Sequence, residues 1–219
     1  MEKKVVNEIF SRLSKQNPTP RIELNYTNNF TLFVAVVLSA QSTDKGVNKA
    51  TPALFKKADD PQKMLLLGEE KLKEYIKSIG LYNSKAKNII KASEIMVAEH
   101  DNKLPENFDD LYKLPGVGRK TANVLLNSLF NQYTIAVDTH VLRVSNRIGL
   151  CNTKTPDATE DALHKKIPDK WKKYAHHWLV LHGRYVCKAK KPMCSDCLIM
   201  DLCKFKKQDG NFTRVSPKN

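Results

Sequence analysis

Apolar residues recur along this chain at helical spacing. Val5, Val6, Ile9, Phe10 and Leu13 lie on one face of an amphipathic first helix. A polar, proline-containing link from Gln16 to Asn28 follows, and then a nearly unbroken apolar run from Phe30 to Leu38. Periodicity cannot assign that run, because a buried strand and a wholly buried helix look alike over so short a stretch. Its length and the lack of a pairing strand favour a helix. Further helical patterns occur at about residues 43–57, 69–79, 83–100, 107–113, 119–131, 139–148, 157–166 and 171–186. No alternating strands with hairpin turns, long-period repeat or low-complexity tract interrupt the series, and the polar tail after Lys207 reads as frayed. The pattern predicts an all-α protein of roughly ten helices.

Composition narrows the picture. The 219 residues suffice for one large domain or two modest ones, and 41% hydrophobic with 27% charged residues makes a folded chain the expectation. The net charge of +14 is unevenly spread: residues 1–110 hold 17 basic and 15 acidic side chains, residues 111–219 hold 20 and 8. A basic half on a near-neutral one points to a polyanion, nucleic acid ahead of an acidic membrane surface. The apolar run is too short to span a bilayer and lacks the position and flanks of a signal peptide, so a cytoplasmic protein is expected.

Three groups of residues carry candidate chemistry. The first is Leu114-Pro115-Gly116-Val117-Gly118-Arg119-Lys120-Thr121-Ala122. Pro115 stops a short helix bearing Phe108, Leu111 and Tyr112, two glycines permit a tight turn, and a helix with Val124, Leu125 and Leu129 starts at once. Gly116 and Gly118 leave bare N–H groups at a helix N-terminus, where a phosphate can dock. A dinucleotide fingerprint fails because Thr121 stands where a third glycine is required and no strand precedes, and a P-loop needs other spacing. Lys120 reads either as a phosphate contact or as a nucleophilic amine, whose cationic form Arg119, partial burial and the positive helix end would disfavour. The second group is Ala136-Val137-Asp138-Thr139-His140, where Asp138 is an N-cap, a carboxylate facing a substrate, or both. The third is C-x6-C-x2-C-x5-C, formed by Cys187, Cys194, Cys197 and Cys203, with Cys151 apart from it as an expected buried small residue. In a reducing compartment such crowding favours metal ligation over disulfides, and the spacing alone leaves zinc and iron–sulfur both open.

In this order and at these separations, the hairpin, Val137-Asp138-Thr139-His140 and the cysteine quartet resemble the endonuclease III family of DNA glycosylases with AP lyase activity, over about residues 1–207. The resemblance implies two helical lobes around a DNA-binding cleft. One is residues 22–132, ending in the helix-hairpin-helix; the other joins residues 1–21 to 133–211 and carries a C-terminal [4Fe-4S] cluster loop; residues 212–219 are a tail. It further implies that Cys187, Cys194, Cys197 and Cys203 hold the cluster, in a structural role that presents a basic loop to DNA. Lys120 would displace a damaged base and form a Schiff base, and Asp138 would oppose positive charge developing on the sugar. β-Elimination would then cut 3′ to the abasic site. Oxidised pyrimidines in double-stranded DNA are the implied substrate class, and the protein is expected to act as a monomer without a membrane.

Other DNA contacts follow from the same likeness. Leu38-Ser39-Ala40-Gln41-Ser42-Thr43-Asp44 matches the segment whose Gln41 enters the gap left by a flipped nucleotide, and Gly80-Leu81-Tyr82-Asn83 matches the loop whose Leu81 wedges into the stack. Without the resemblance, Gln41 is a helix-end residue and Leu81 a core contact. Gly116, Gly118, Arg119 and Thr121 of the hairpin and Lys191 of the cysteine loop complete the implied interface, while His140 is expected to be buried and hydrogen-bonded. Two other readings stay open. An adenine-mismatch glycosylase shares hairpin, aspartate and cluster but typically lacks a lysine matching Lys120 and adds a C-terminal domain; a non-catalytic, metal-stapled DNA-binding module would use Lys120 and Asp138 only as phosphate contact and cap.

Overall fold

The computed structural model describes residues 1–208 and 211–214. Tertiary contacts divide the chain into a continuous unit, Ile22–Asn131, and a discontinuous one in which Met1–Arg21 joins the chain from Gln132 onward.

The continuous unit is built from α2 (Asn29–Ser39), α3 (Asp44–Phe55), α4 (Pro61–Leu67), α5 (Glu69–Ile76), α6 (Tyr82–Glu99), α7 (Phe108–Lys113) and α8 (Arg119–Phe130). α2 is the ambiguous apolar run, and every residue from Phe30 to Leu38 is buried on packing against α3, α6 and α8. A helix apolar all round belongs in a core, which is why it shows no amphipathic period. Its start is fixed by a capping box: the Thr31 N–H donates to Asn28 Oδ1 at 2.9 Å and the Asn28 N–H donates to Thr31 Oγ1 at 2.9 Å. α4 is absent from the periodicity reading because it is only seven residues long. Its signal is local, an Asp60 N-cap followed by Pro61 in the first turn.

The discontinuous unit comprises α1 (Lys3–Gln16), α9 (Thr139–Ile148), α10 (Pro156–Lys166), α11 (Asp169–Tyr185) and the cysteine loop that follows. Val6, Ile9, Phe10 and Leu13 of α1 enter one core with Val141, Val144 and Ile148 of α9 and Trp178 and Leu179 of α11. Phe10 lies 6.5 Å from the Trp171 ring and 6.1 Å from the Trp178 ring. Polar ties fix the register of α1: the Trp178 indole donates to the Asn17 carbonyl at 2.8 Å, and the Arg12 guanidinium grips both carboxylate oxygens of Asp201 at 2.7 and 3.0 Å. Gly183 lets α11 approach α9, since a Cβ there would stand 2.9 Å from His140 Cβ.

Two expectations need correction. The sequence predicts no hairpin, yet β1 (Phe205–Gln208) pairs antiparallel with β2 (Asn211–Arg214), Phe205 opposite Arg214 and Gln208 opposite Asn211. The intervening Asp209-Gly210 is a dipeptide suited to a two-residue hairpin loop, but its flanks are mostly lysine and polar residues without apolar alternation. The sequence-defined tail of residues 212–219 therefore begins within a strand, and its residues 215–219 lie outside the described residues. Cys151 is half-buried, with the Thr153 hydroxyl donating to its sulfur at 3.4 Å.

Candidate functional site

In the continuous unit, α7 ends at Leu114 and the chain turns through Pro115-Gly116-Val117 into Gly118, the N-cap of α8. Gly116 is in the left-handed region at φ +85°, with Asn88 and Val37 so close that a Cβ would meet both at 3.3 Å. A side chain is disfavoured there by backbone strain and by crowding. Gly118 differs: its φ is −95° and a Cβ would meet nothing within 4 Å. No side chain caps the first turn of α8, the positive end of a twelve-residue helix. Arg119 and Lys120 are exposed on that turn, and Thr121 is half-buried. The Arg119 guanidinium lies 6.0 Å from the Phe108 ring, which stacks on Tyr112.

The same unit holds the two expected wedges. Gln41 and Leu81 both have left-handed backbones, φ 54° and 60°, a conformation uncommon for residues bearing a side chain. Leu81 is 60% exposed, which removes the core-contact reading. Gln41 is likewise exposed. The two turns lie side by side: a Cβ on Gly80 would be in ordinary contact, 3.9 Å, with both the Gln41 carbonyl oxygen and Ser42 Oγ. Sequence reasoning missed the side chain behind them, Lys85, because a lysine at a helical position ordinarily signals a solvated face.

In the discontinuous unit Asp138 is the N-cap of α9. Its Oδ1 accepts from the backbone N–H groups of His140 and Val141, each at 2.8 Å, and its Oδ2 lies 3.2 Å from His140 Nδ1. The carboxylate is largely buried and His140 half-buried. Capping holds the carboxylate in one orientation beside an imidazole, so the cap and a chemical role are compatible in one residue.

Cys187, Cys194, Cys197 and Cys203 line a single pocket whose walls are otherwise mostly apolar, with Ile148, Met193 and Met200 among them. Among the described residues no three His, Cys, Asp or Glu side chains converge closely enough to hold one metal ion. Donors are nonetheless aimed at the sulfurs. Arg147 Nη1 donates to Cys187 Sγ at 3.6 Å, the Phe205 N–H donates to Cys203 Sγ at 3.4 Å, and His182 Nε2 lies 3.6 Å from Cys197 Sγ. Burial, reinforced by the neighbouring cysteines, pushes the Cys203 thiol up to about 11 and raises Cys197 as well. Arg147 also donates to the carbonyls of Lys188 and Ala189 at 2.7 and 3.0 Å and lies over the Phe205 ring, so it braces the loop at several points. Lys191 is exposed at φ 52° in that loop.

Residues 34–169 match the model of the HhH-GPD superfamily of base excision DNA repair proteins. The chain is 57% identical to endonuclease III of Rickettsia conorii over 94% of its own length and 98% of that protein's. It is 52% identical to endonuclease III of Escherichia coli K12 over 92% and 95%. Among solved structures, a trapped endonuclease III–DNA covalent intermediate in an estranged-adenine complex superimposes with a TM-score of 0.86 at 41% identity, covering 93% of this chain and 96% of that one. No helix among the described residues is long and apolar enough to cross a membrane.

Proposed function

The chain belongs to the endonuclease III family of the HhH-GPD superfamily, and we propose that it is a base-excision DNA glycosylase and AP lyase that removes oxidised pyrimidines from double-stranded DNA. The observation that carries this reading is the position of Lys120: an exposed primary amine on the first turn of α8, next to Gly118 and a helix start that no side chain caps. A phosphate held at that helix start, with Arg119 and Thr121 beside it, brings a deoxyribose within reach of that amine.

In the proposed reaction, the damaged nucleotide leaves the stack, Gln41 fills its place and Leu81 wedges the neighbouring bases apart. The unprotonated Lys120 Nζ attacks C1′ as the bond to the base breaks, and the base departs with the bonding electrons and takes up a proton. Asp138 opposes the positive charge that develops on the sugar as the base leaves. Ring opening converts the C1′ adduct to an iminium, which acidifies the C2′ proton. Its loss expels the 3′ phosphate by β-elimination and cuts the strand, and water then hydrolyses the imine to regenerate the lysine. The reaction takes place on DNA in the cytoplasm.

The donor set of the cysteine pocket fits a [4Fe-4S] cluster. A cubane takes one thiolate at each of its irons, and four thiols line this one pocket, with N–H donors of Arg147 and Phe205 on two of the sulfurs and His182 Nε2 beside a third. Cys187, Cys194, Cys197 and Cys203 would hold the cluster, which supplies cross-links to a loop too small to build its own core and so presents Lys191 to phosphate.

Borohydride reduction on abasic-site DNA tests the reaction. A covalent protein–DNA adduct that disappears in Lys120→Ala is expected, and no adduct with the intact protein refutes the lyase. The same preparation should be brown and contain iron; a colourless protein with stoichiometric zinc overturns the cluster assignment.

A further inference from the structure

Lys85 is 5% exposed, and among the described residues the partners of its Nζ are neutral oxygens. The ammonium donates to the Leu38 carbonyl at 2.8 Å and to Ser42 Oγ at 3.0 Å. Leu38 lies in the last turn of α2, where carbonyls lack helical partners and the helix dipole is negative. A buried cation set there is partly compensated without a carboxylate. Burial alone lowers the affinity of Lys85 for its proton, which measures how costly the placement is. Lys85 sits on the first turn of α6, where its N–H makes the helical i→i−4 bond to the carbonyl of the N-cap Leu81 at 3.1 Å.

Lys85 thus ties the start of α6, whose N-cap is Leu81 at φ 60°, through its side chain to Leu38 and Ser42 on either side of Gln41 at φ 54°. A non-glycine residue in the left-handed region persists only where its surroundings hold it. We propose that Lys85 is a positioning residue for nucleotide extrusion, locking the turns of Gln41 and Leu81 into one rigid wedge before DNA arrives. A flexible lysine on the surface would serve neither turn. Burial fixes two of its three donors in a bracket. Ser42 is the second arm of that bracket.

This inference rests on the proposed extrusion roles of Gln41 and Leu81, and the experiment separates the two. Lys85→Met keeps the aliphatic stem and removes the donors. Single-turnover rates are measured on two substrates, a duplex bearing thymine glycol, which must be opened, and a single-stranded oligonucleotide with a preformed abasic site, which needs no wedge. The expected result is a fall of about tenfold or more on the duplex with cleavage of the single strand held within about twofold, at a temperature where circular dichroism shows the variant folded. Equal losses on both substrates, or no loss on the duplex, overturn the role of Lys85. A wild-type protein inert on both overturns the underlying reading and the inference with it. Should Lys85→Met fail to fold, Ser42→Ala removes one arm alone; a loss of about threefold confined to the duplex supports the bracket, and its absence refutes it.

Discussion

Asp138 caps a helix and is the carboxylate assigned to the reaction, and substitution separates the two duties. Asparagine caps about as well as aspartate, because its side-chain oxygen accepts the same N–H bonds, but it carries no charge. Asp138→Asn should leave thermal stability nearly unchanged while base excision slows by about a hundredfold or more, the scale of a lost electrostatic partner. Asp138→Ala should lose about 1 kcal/mol of stability as well. Thermal melts and single-turnover excision on the three proteins check this; equal rates for wild type and Asp138→Asn would reduce the residue to a cap. The dual duty explains why the sequence left its role open. An aspartate preceding Thr139-His140-Val141 has the form of an ordinary N-cap, and only its burial against His140 is information that the linear chain withholds.

The elements carry a second separation. Gly116 and Gly118 are two residues apart, yet only Gly116 needs a positive φ and is crowded by Asn88 and Val37. Gly116→Ala should destabilise by about 1–3 kcal/mol, the cost of forcing a side chain into a strained, filled position. Gly118→Ala should melt within about 0.5 kcal/mol of wild type, a surface-substitution change, and still bind DNA more weakly because the methyl occupies the space where a phosphate approaches the amides. Fluorescence anisotropy beside a melting curve distinguishes them; unchanged affinity in Gly118→Ala would deny the close approach. At this scale, periodicity and punctuation reached far. α9 is predicted at 139–148 and found at Thr139–Ile148, because its apolar face, its cap and the closing Gly149 all agree. Where such signals were short or absent, the chain was less legible. α4 lacks the length to show a period, α2 is too apolar to have one, and the β1–β2 pair has a turn signal without an apolar pattern. Lys85 was illegible for a different reason, since its partners lie 47 and 43 positions away and only folding brings them to it.

For the whole molecule, the lopsided charge becomes a statement about binding. The second half of the chain holds the hairpin's Arg119 and Lys120, the α9 arginines and the cysteine loop, and with them most of the +14. Affinity for undamaged duplex should fall linearly in log–log form as salt rises, with a slope of magnitude about 3 or more; a flat response would contradict a grip made on phosphates. Which base is preferred was not legible, because specificity depends on residues distant in sequence. The clasp of Arg12 on Asp201, with Trp178 on Asn17 across 161 positions, has a different consequence, one that concerns synthesis. The apolar face of α1, Val6, Ile9, Phe10 and Leu13, waits for core partners as far along the chain as Ile199, whereas Ile22–Asn131 is one continuous compact unit. During synthesis Ile22–Asn131 can therefore fold while α1 still carries bare apolar surface, a natural client for a chaperone near the exit tunnel.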